Sequence, residues 1–460
     1  MKVLLLNPPA RKREYENIVV PPLGLAYLSS SAKAKGFDIE ILDAFALGIN
    51  WDKLREEVRK IKPDILAIGG MSPVIDTSFR AAKLLRNDVN MIVMGGPHIT
   101  AFGERVFEDC PEIDIGVAGE GEITFCELLD YIERGKDYSS VKGLILREGK
   151  TQSRELIADV DSIPFPDRTS LPNERYRYPF AWEGPVTTMF TSRGCPYRCV
   201  FCDKSVFGSQ WRGRSAENII SEIEMIVSEY GTKNFIFYDD LFTLKRDRVL
   251  EICSKIEERK IDIKWKCEGR VDRIDKEMLK AMKSAGCRVI AFGVESGNQK
   301  GIDYLKKNLD LSKVKNAFQM ARDEGIETIA YFILGIPNET YEDEKRTVEF
   351  AVEINPTYAQ FSTLSPYYGT WIYDEAVKRG WYKETSAKNP LDKDLKRPVI
   401  ISDNWSEEKL QKIIRYAYRK FFLRPSYLLD RVRAVIKSPT RIKNLFKSGW
   451  SVVKWLLSKG

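Results

Sequence analysis

The sequence has one histidine, His98, in 460 residues. Acid–base chemistry therefore falls to Tyr, Asp, Glu or Lys. No apolar run reaches the roughly 18 residues that a bilayer-spanning helix needs. The run in Met1-Lys-Val-Leu-Leu-Leu-Asn7 is too short for a signal peptide and no cleavage site follows it. The eight cysteines lack even framework spacing, which excludes a disulfide scaffold and points to a reducing, cytoplasmic setting. Net charge is also scarce outside one end. The total is +7, while Arg424 to Gly460 carries nine Lys or Arg against one Asp, so the rest sums to −1. That distribution argues against a general nucleic-acid binder. With 43% hydrophobic and 30% charged residues, the chain has the composition of a soluble globular protein of two or three domains.

Three cysteines stand together in Cys195-Pro-Tyr-Arg-Cys199-Val-Phe201-Cys202, at spacing C-x3-C-x2-C. Thiolates are soft ligands that suit iron–sulfur clusters and zinc. A structural zinc knuckle would want a fourth Cys or His close by, and none is present. Three thiolates alone leave one metal position open, where a substrate or cosubstrate can bind. The apolar run Val186-Thr-Thr-Met-Phe190 reads as a strand, so the loop lies at a strand's carboxyl end, where α/β folds bind ligands. Cys110, Cys126, Cys253, Cys267 and Cys287 form no second C-x-x-C pattern and read as buried small apolar residues. A second cluster is not expected.

Around this motif the chain alternates short apolar strands with helices. Residues 1–148 predict a doubly wound, Rossmann-like parallel sheet. Its strand ends are rich in glycine: Gly69-Gly-Met71-Ser72, Gly95-Gly96-Pro-His98 and Gly119-Glu120-Gly121-Glu122. Glycine there lets the backbone approach a large ligand. Residues 149–183, rich in Pro and aromatics, predict an ordered connector. Residues 184–380 contain six strand–helix units and predict a partial (β/α)6 TIM-like barrel with all strand-end loops on one rim. Those loops begin at Asp239-Asp240, Arg270, Glu295-Ser296 and Gly335-Ile-Pro337. Residues 381–460 predict a small helical region. Segments 426–437 and 440–458 have apolar residues at helical spacing, opposite basic faces, with Trp450 and Trp455. Two readings of them stand, helices lying in a membrane interface or a helical cap with a solvated basic face.

The cysteine spacing, with Phe201 before the last cysteine, resembles the radical S-adenosylmethionine superfamily. The whole chain, with Pro21-Pro-Leu-Gly-Leu25, Pro366-Tyr-Tyr-Gly-Thr370 and Phe422-Leu-Arg-Pro-Ser426, resembles its cobalamin-binding family, which includes anaerobic magnesium-protoporphyrin monomethyl ester cyclase, hopanoid-modifying enzymes and methylases of unactivated carbon. The resemblance implies a [4Fe-4S] cluster on Cys195, Cys199 and Cys202, cleaving S-adenosylmethionine to a 5′-deoxyadenosyl radical that abstracts hydrogen from the substrate. It implies that Asp239 or Asp240 meets the methionine ammonium, although adjacent Asp residues also suit a helix start. Arg270 would meet the carboxylate, Glu295 and Ser296 the ribose, and Gly335 and Pro337 the adenine. Cobalamin would lie against Met71, Ser72, Gly95, Gly96, His98, Gly119, Glu120 and Gly121. The D-x-H-x-x-G of cobalamin mutases is absent after the first strand, where Asn7-Pro-Pro-Ala-Arg-Lys-Arg13 stands, so no protein His is expected on cobalt. For His98 a corrin contact and a plain loop histidine are both open, as are a corrin-facing and a core-filling Met71.

The implied function is C-methylation of an apolar, lipid- or tetrapyrrole-like small molecule. The alternatives are an oxidative cyclase or rearrangement enzyme using cobalamin without methyl transfer, and a non-catalytic cluster protein. A flavodoxin- or ferredoxin-type electron donor is implied. Peripheral association with the inner membrane face follows from the basic end under its first reading.

Overall fold

The computed structural model describes residues 1–9, 18–178, 184–385 and 397–436, with backbone alone at 385, 397 and 431–436. It divides into two compact units. The first comprises Met1–Tyr178, Gly184–Pro196 and Asp203–Thr232, and the second the remainder.

The first unit holds a sheet of β1 (Lys2–Asn7), β2 (Asp38–Asp43), β3 (Ile65–Gly69), β4 (Met91–Gly95), β5 (Ile115–Val117), β6 (Leu144–Leu146) and β7 (Gly149–Lys150). Their order is β2-β1-β3-β4-β5-β6-β7. The first five are parallel, as the sequence predicts. Val3 to Leu6 are all fully buried, the mark of a strand covered on both faces. Leu4, Leu6, Leu66, Ile68, Ile92 and Met94 share one core with Leu54, Val58, Ala81 and Leu85 of helices Trp51–Ile61 and Ile75–Leu85. The sequence reading missed β6 and β7, which pair antiparallel at the sheet edge. Strands of three and two residues are too short to display a period.

The rest of this unit flanks the cysteine motif in sequence. It contains β8 (Val186–Met189), the two-residue strands β9 (Ser192–Arg193) and β10 (Arg212–Gly213), and the helix Ala216–Tyr230. Ser215 caps that helix by accepting from Asn218 N. Glu222, fully buried on it, pairs with both Arg168 and Arg214. Arg168 also donates to the Thr187 hydroxyl at 2.6 Å and to Thr188 O at 2.9 Å, which ties the connector to β8.

The second unit contains β11 (Asn234–Phe237), β12 (Lys264–Gly269), β13 (Cys287–Glu295), β14 (Glu327–Leu334) and β15 (Tyr358–Thr363), each parallel to the next in chain order. Helices Arg246–Glu258, Lys276–Ser284, Leu311–Asp323 and Tyr341–Ile354 alternate with them. Trp265 is fully buried against Phe237 and Phe242, and its indole N–H donates to Ala285 O at 2.8 Å. The hairpin β16 (Tyr382–Thr385) and β17 (Arg397–Ile400) precedes helix Glu407–Phe422. Phe421 of that helix meets Phe361 of β15 edge-on at 6.1 Å. Helix Pro425–Ile436 follows, and segment 440–458 lies outside the described residues. No helix among the described residues is long and apolar enough to cross a membrane.

Unpairing a buried charge costs about 3–5 kcal/mol. Glu222→Gln, which removes the buried carboxylate that Arg168 and Arg214 share, is expected to lower the unfolding free energy by about that much. Urea titration of the full chain checks it, and an unchanged midpoint contradicts the assigned ion cluster.

Candidate functional site

The glycine loops after β3 and β4 meet in the first unit. Gly70 N donates to Gly95 O at 2.7 Å, and His98 N to Gly70 O at 3.1 Å. Gly96 has a φ of +102°, and a Cβ there would stand 2.8 Å from Gly70 O, so only glycine fits. Because β1 lies between β2 and β3, the sheet reverses its winding at β1 and β3, and ligands bind at the carboxyl ends beside such a reversal.

His98 lies in the short helix Pro97–Phe102 and is 5% exposed. Its Nδ1 shares a hydrogen bond of 3.1 Å with the Ser72 hydroxyl. Its ring stacks on Phe102 at 4.0 Å and meets Phe79 edge-on at 5.8 Å. Nε2 is buried without a hydrogen-bond partner. Burial lowers its pKa to about 4, so the ring is neutral at pH 7. The plain surface-loop reading of His98 is thereby removed. Met71 is 55% exposed, which removes its core-filling alternative.

The third loop differs. Gly119 N donates to the Thr100 hydroxyl at 3.0 Å. The buried Glu120 carboxylate accepts from Arg193 at 2.8 Å, Arg212 at 2.7 Å and Ile157 N at 2.8 Å. Gly121 opens helix Gly121–Glu133.

Cys195 and Cys199 are partly exposed and Cys202 is exposed, whereas the other five cysteines are buried, as expected of core residues. Burial pushes the Cys110 thiol up to about 12 and Cys126 to about 11, and it raises Cys253 and Cys267 as well. Those four thiols stay protonated and inert. Cys202 N donates to Cys199 O at 3.3 Å, and Cys195 N to Gly208 O at 3.4 Å. Lys204 Nζ donates to Cys195 O at 3.0 Å. Among the described residues no three His, Cys, Asp or Glu side chains converge as a preassembled metal site.

In the second unit the strand ends form a connected polar network. Asp239 is buried and Asp240 exposed. The Arg270 guanidinium lies 3.8 Å over the Tyr197 ring, grips Asp272 at 2.7 Å, and donates to the carbonyls of Lys307 and Asn308 at 3.0 and 2.9 Å. Glu295, at a φ of +70°, accepts from Lys307 Nζ at 2.7 Å. Burial opposes the Lys307 charge, but Glu295 and the nearby Cys199 outweigh it and the pKa ends above its ordinary value. Lys307 also lies 6.0 Å from the Phe201 ring. The Ser296 hydroxyl donates to Glu339 at 2.8 Å. Gly335 N and Ile336 N both donate to Glu344, at 2.7 and 3.1 Å. Burial and then Glu339 hold the Glu344 carboxyl well above its usual range. Pro337 O accepts from Asn404 at 2.9 Å. Sequence reasoning missed Tyr197, Lys307, Glu339 and Glu344. Tyr197 was the most accessible of them, since it stands inside the cysteine motif; the other three are long-range partners without a local signal.

The Radical SAM superfamily profile matches residues 189–351, and the B12 binding domain profile matches residues 17–129. An uncharacterized methyltransferase of Pyrococcus horikoshii is 35% identical over 448 residues, covering 94% of this chain and 95% of the relative. The chain belongs to the cobalamin-binding radical SAM family. An anaerobic magnesium-protoporphyrin IX monomethyl ester cyclase of Cereibacter sphaeroides is 30% identical over 442 residues, 91% of this chain and 72% of the relative. The solved structure of the radical S-adenosylmethionine methyltransferase TsrM from Kitasatospora setae, with cobalamin and [4Fe-4S] cluster bound, shares the fold. Its TM-score is 0.73 at 17% identity, covering 93% of this chain and 90% of that one. The cofactors of this radical SAM enzyme are a [4Fe-4S] cluster, S-adenosylmethionine and cobalamin.

The buried His98 makes a pH test possible. Its folded pKa, about 4, lies below the unfolded value of 6.5, so the folded state binds fewer protons and loses stability as pH falls through that window. Between pH 7 and pH 5 the loss is about 2 kcal/mol. His98→Phe fills the same space without titrating and is expected to remove that part of the pH dependence. Paired urea titrations at the two pH values check this, and equal slopes for both proteins contradict it.

Proposed function

We propose that this radical SAM enzyme methylates an unactivated carbon of an apolar, lipid- or tetrapyrrole-like small molecule. Supporting this above all is the likeness, along nearly the whole chain, to the Pyrococcus methyltransferase. The proposed domain ranges are 1–148 for cobalamin, 149–183 for the connector, 184–380 for the barrel and 381–460 for the helical region.

The side chains fit these cofactors. Cys195, Cys199 and Cys202 are the three thiols that burial leaves accessible, and they are proposed to hold the cluster. For cobalamin, the orphaned Nε2 of His98, the exposed Met71, and the Gly70–Gly96 contact suit a large flat ligand beside Ser72, Gly95 and Gly119. With His98 tied to Ser72 and Phe102, no imidazole is proposed on cobalt. For S-adenosylmethionine, Asp239, Asp240 and Arg270 are proposed at the methionine end, Glu295 and Ser296 at the ribose, and Gly335 and Pro337 at the adenine, with Phe201 alongside. Glu344 fixes the backbone of the adenine loop, so its two amides stay in place without ligand. When bound, the cluster supplies the electron for cleavage and cobalamin carries the methyl group, while the chain orients them and excludes water.

An external flavodoxin- or ferredoxin-type donor is proposed to supply electrons. The basic end is proposed to dock on anionic lipid, which the exposed Leu428 and Leu429 on helix Pro425–Ile436 support. The Cereibacter cyclase supports a second reading, oxidative cyclisation without methyl transfer.

The test is anaerobic reconstitution with S-adenosylmethionine labelled in its methyl group, a reductant, and lipid or tetrapyrrole extracts. The expected result is labelled methyl in an extract component together with 5′-deoxyadenosine, both lost when the three motif cysteines become alanine. Cyclised or desaturated product without label would establish the second reading instead. 5′-Deoxyadenosine from the triple variant would contradict both.

A further inference from the structure

All three motif cysteines lie in the loop 194–211, and its two ends are stapled in the first unit. β9 and β10 pair antiparallel in the register Arg212 to Arg193 and Gly213 to Ser192. Two arginines directly opposite each other on so short a ladder repel. Both are also buried, at 4% and 6% exposure, where an unpaired charge is costly.

Glu120 answers both arginines. Its Oε1 accepts from Arg193 Nη1 at 2.8 Å and its Oε2 from Arg212 Nη1 at 2.7 Å. Glu122 accepts from the other terminal nitrogen of Arg193 at 2.5 Å. The Arg193 guanidinium also lies 5.1 Å from the Tyr27 ring and 5.2 Å from the Phe207 ring. Arg212 donates to Ile157 O at 2.6 Å and to Phe207 O, inside the loop, at 3.1 Å. Two buried cations thus meet two buried anions, and the cluster compensates itself.

The backbone beside it is equally close. Gly194 has a φ of +82°, and a Cβ there would stand 2.3 Å from Gln210 O and 2.9 Å from Phe207 O. The entering and leaving ends of the loop therefore touch at the residue before Cys195. Each oxygen of Glu120 accepts from one of the two arginines, and Oε2 accepts from Ile157 N as well.

We infer that Glu120, supported by Glu122, is a positioning residue that closes the cysteine loop through Arg193 and Arg212 and so sets Cys195 for its cofactor. It touches no reacting atom and is not a cobalamin contact. The inference rests on the reading that this loop holds the cluster.

The first arm of the test needs no cofactor. The metal-free full-length chain is digested with trypsin, and cleavage after Arg198 and Lys204 is followed by mass analysis. Glu120→Gln keeps the shape and removes the charge. Because cleavage tracks the population of the open loop, the variant is expected to be cut there at least about tenfold faster than wild type, with other sites unchanged. Equal rates overturn the inference.

The second arm is anaerobic reconstitution with iron, sulfide and hydroxocobalamin. Glu120→Gln is expected to hold at least about threefold less iron per chain while keeping cobalamin. Full iron with lost cobalamin overturns the inference and makes Glu120 a cobalamin contact. Adding Arg212→Met to Glu120→Gln removes the opposed charge. It is expected to restore protection and iron to the level of Arg212→Met alone, and failure of that rescue also overturns the inference. Should Glu120→Gln not fold, Arg212→Met, which leaves Glu120 on Arg193, carries the test. It is expected to be cut about threefold faster at the loop, and a wild-type rate overturns the inference. A staple that holds in the trypsin arm while wild type takes up no iron would sink the cluster reading and leave the staple standing.

Discussion

A carboxylate or guanidinium taken out of water must find its opposite there. In this protein that constraint falls twice on the segments flanking the cysteine motif. Glu222 is buried between Arg168 and Arg214, and Glu120 between Arg193 and Arg212. The first cluster ties the connector and strand Val186–Met189 to the helix Ala216–Tyr230. The second ties both ends of the cysteine loop to the turn after strand Ile115–Val117. Buried ion clusters add little net stability over apolar packing, but any arrangement that unpairs one member is heavily penalised. Here they tie down the chain on either side of the cysteine motif, at 187–193 and 212–222.

The candidate sites of the two units differ in character. In the first, the Gly70 and Gly96 backbones are in close contact, the adjacent Met71 is exposed, and the buried Nε2 of His98 has no hydrogen-bond partner. In the second, the polar groups at the strand ends are already engaged. Arg270 holds Asp272, Lys307 holds Glu295, Ser296 bonds Glu339, and Glu344 receives two amides of the 335–337 loop. On the proposed reading, a cosubstrate there would exchange one set of partners for another and meet groups already oriented.

Much of this was legible in the sequence. Alternating apolar strands and helices predicted the parallel sheets, because a strand buried on both faces must be apolar throughout, as in Val3 to Leu6. The cysteine spacing predicted which three of eight thiols stay accessible, and the remaining five are buried as small apolar residues. The glycine loops marked His98 and Met71, although their opposite burial depended on tertiary packing. What stayed hidden was pairing at a distance. Glu120 lies 73 residues from Arg193 and 92 from Arg212, and a two-residue ladder leaves no periodic trace. The Glu339–Glu344 pair was hidden for another reason: acidic residues in the loop and first turn at a helix start read as solvated until burial is known. The antiparallel edge strands Leu144–Leu146 and Gly149–Lys150 were too short to register.

The central claim is that three cysteines of one loop hold a cluster with an open iron that S-adenosylmethionine can reach. Electron paramagnetic resonance of the reduced, anaerobically reconstituted full chain tests it most directly. The account predicts the signal of a single [4Fe-4S] cluster whose g values shift when S-adenosylmethionine is added. A signal unmoved by saturating S-adenosylmethionine, or a loop that takes up zinc in place of iron, would contradict it.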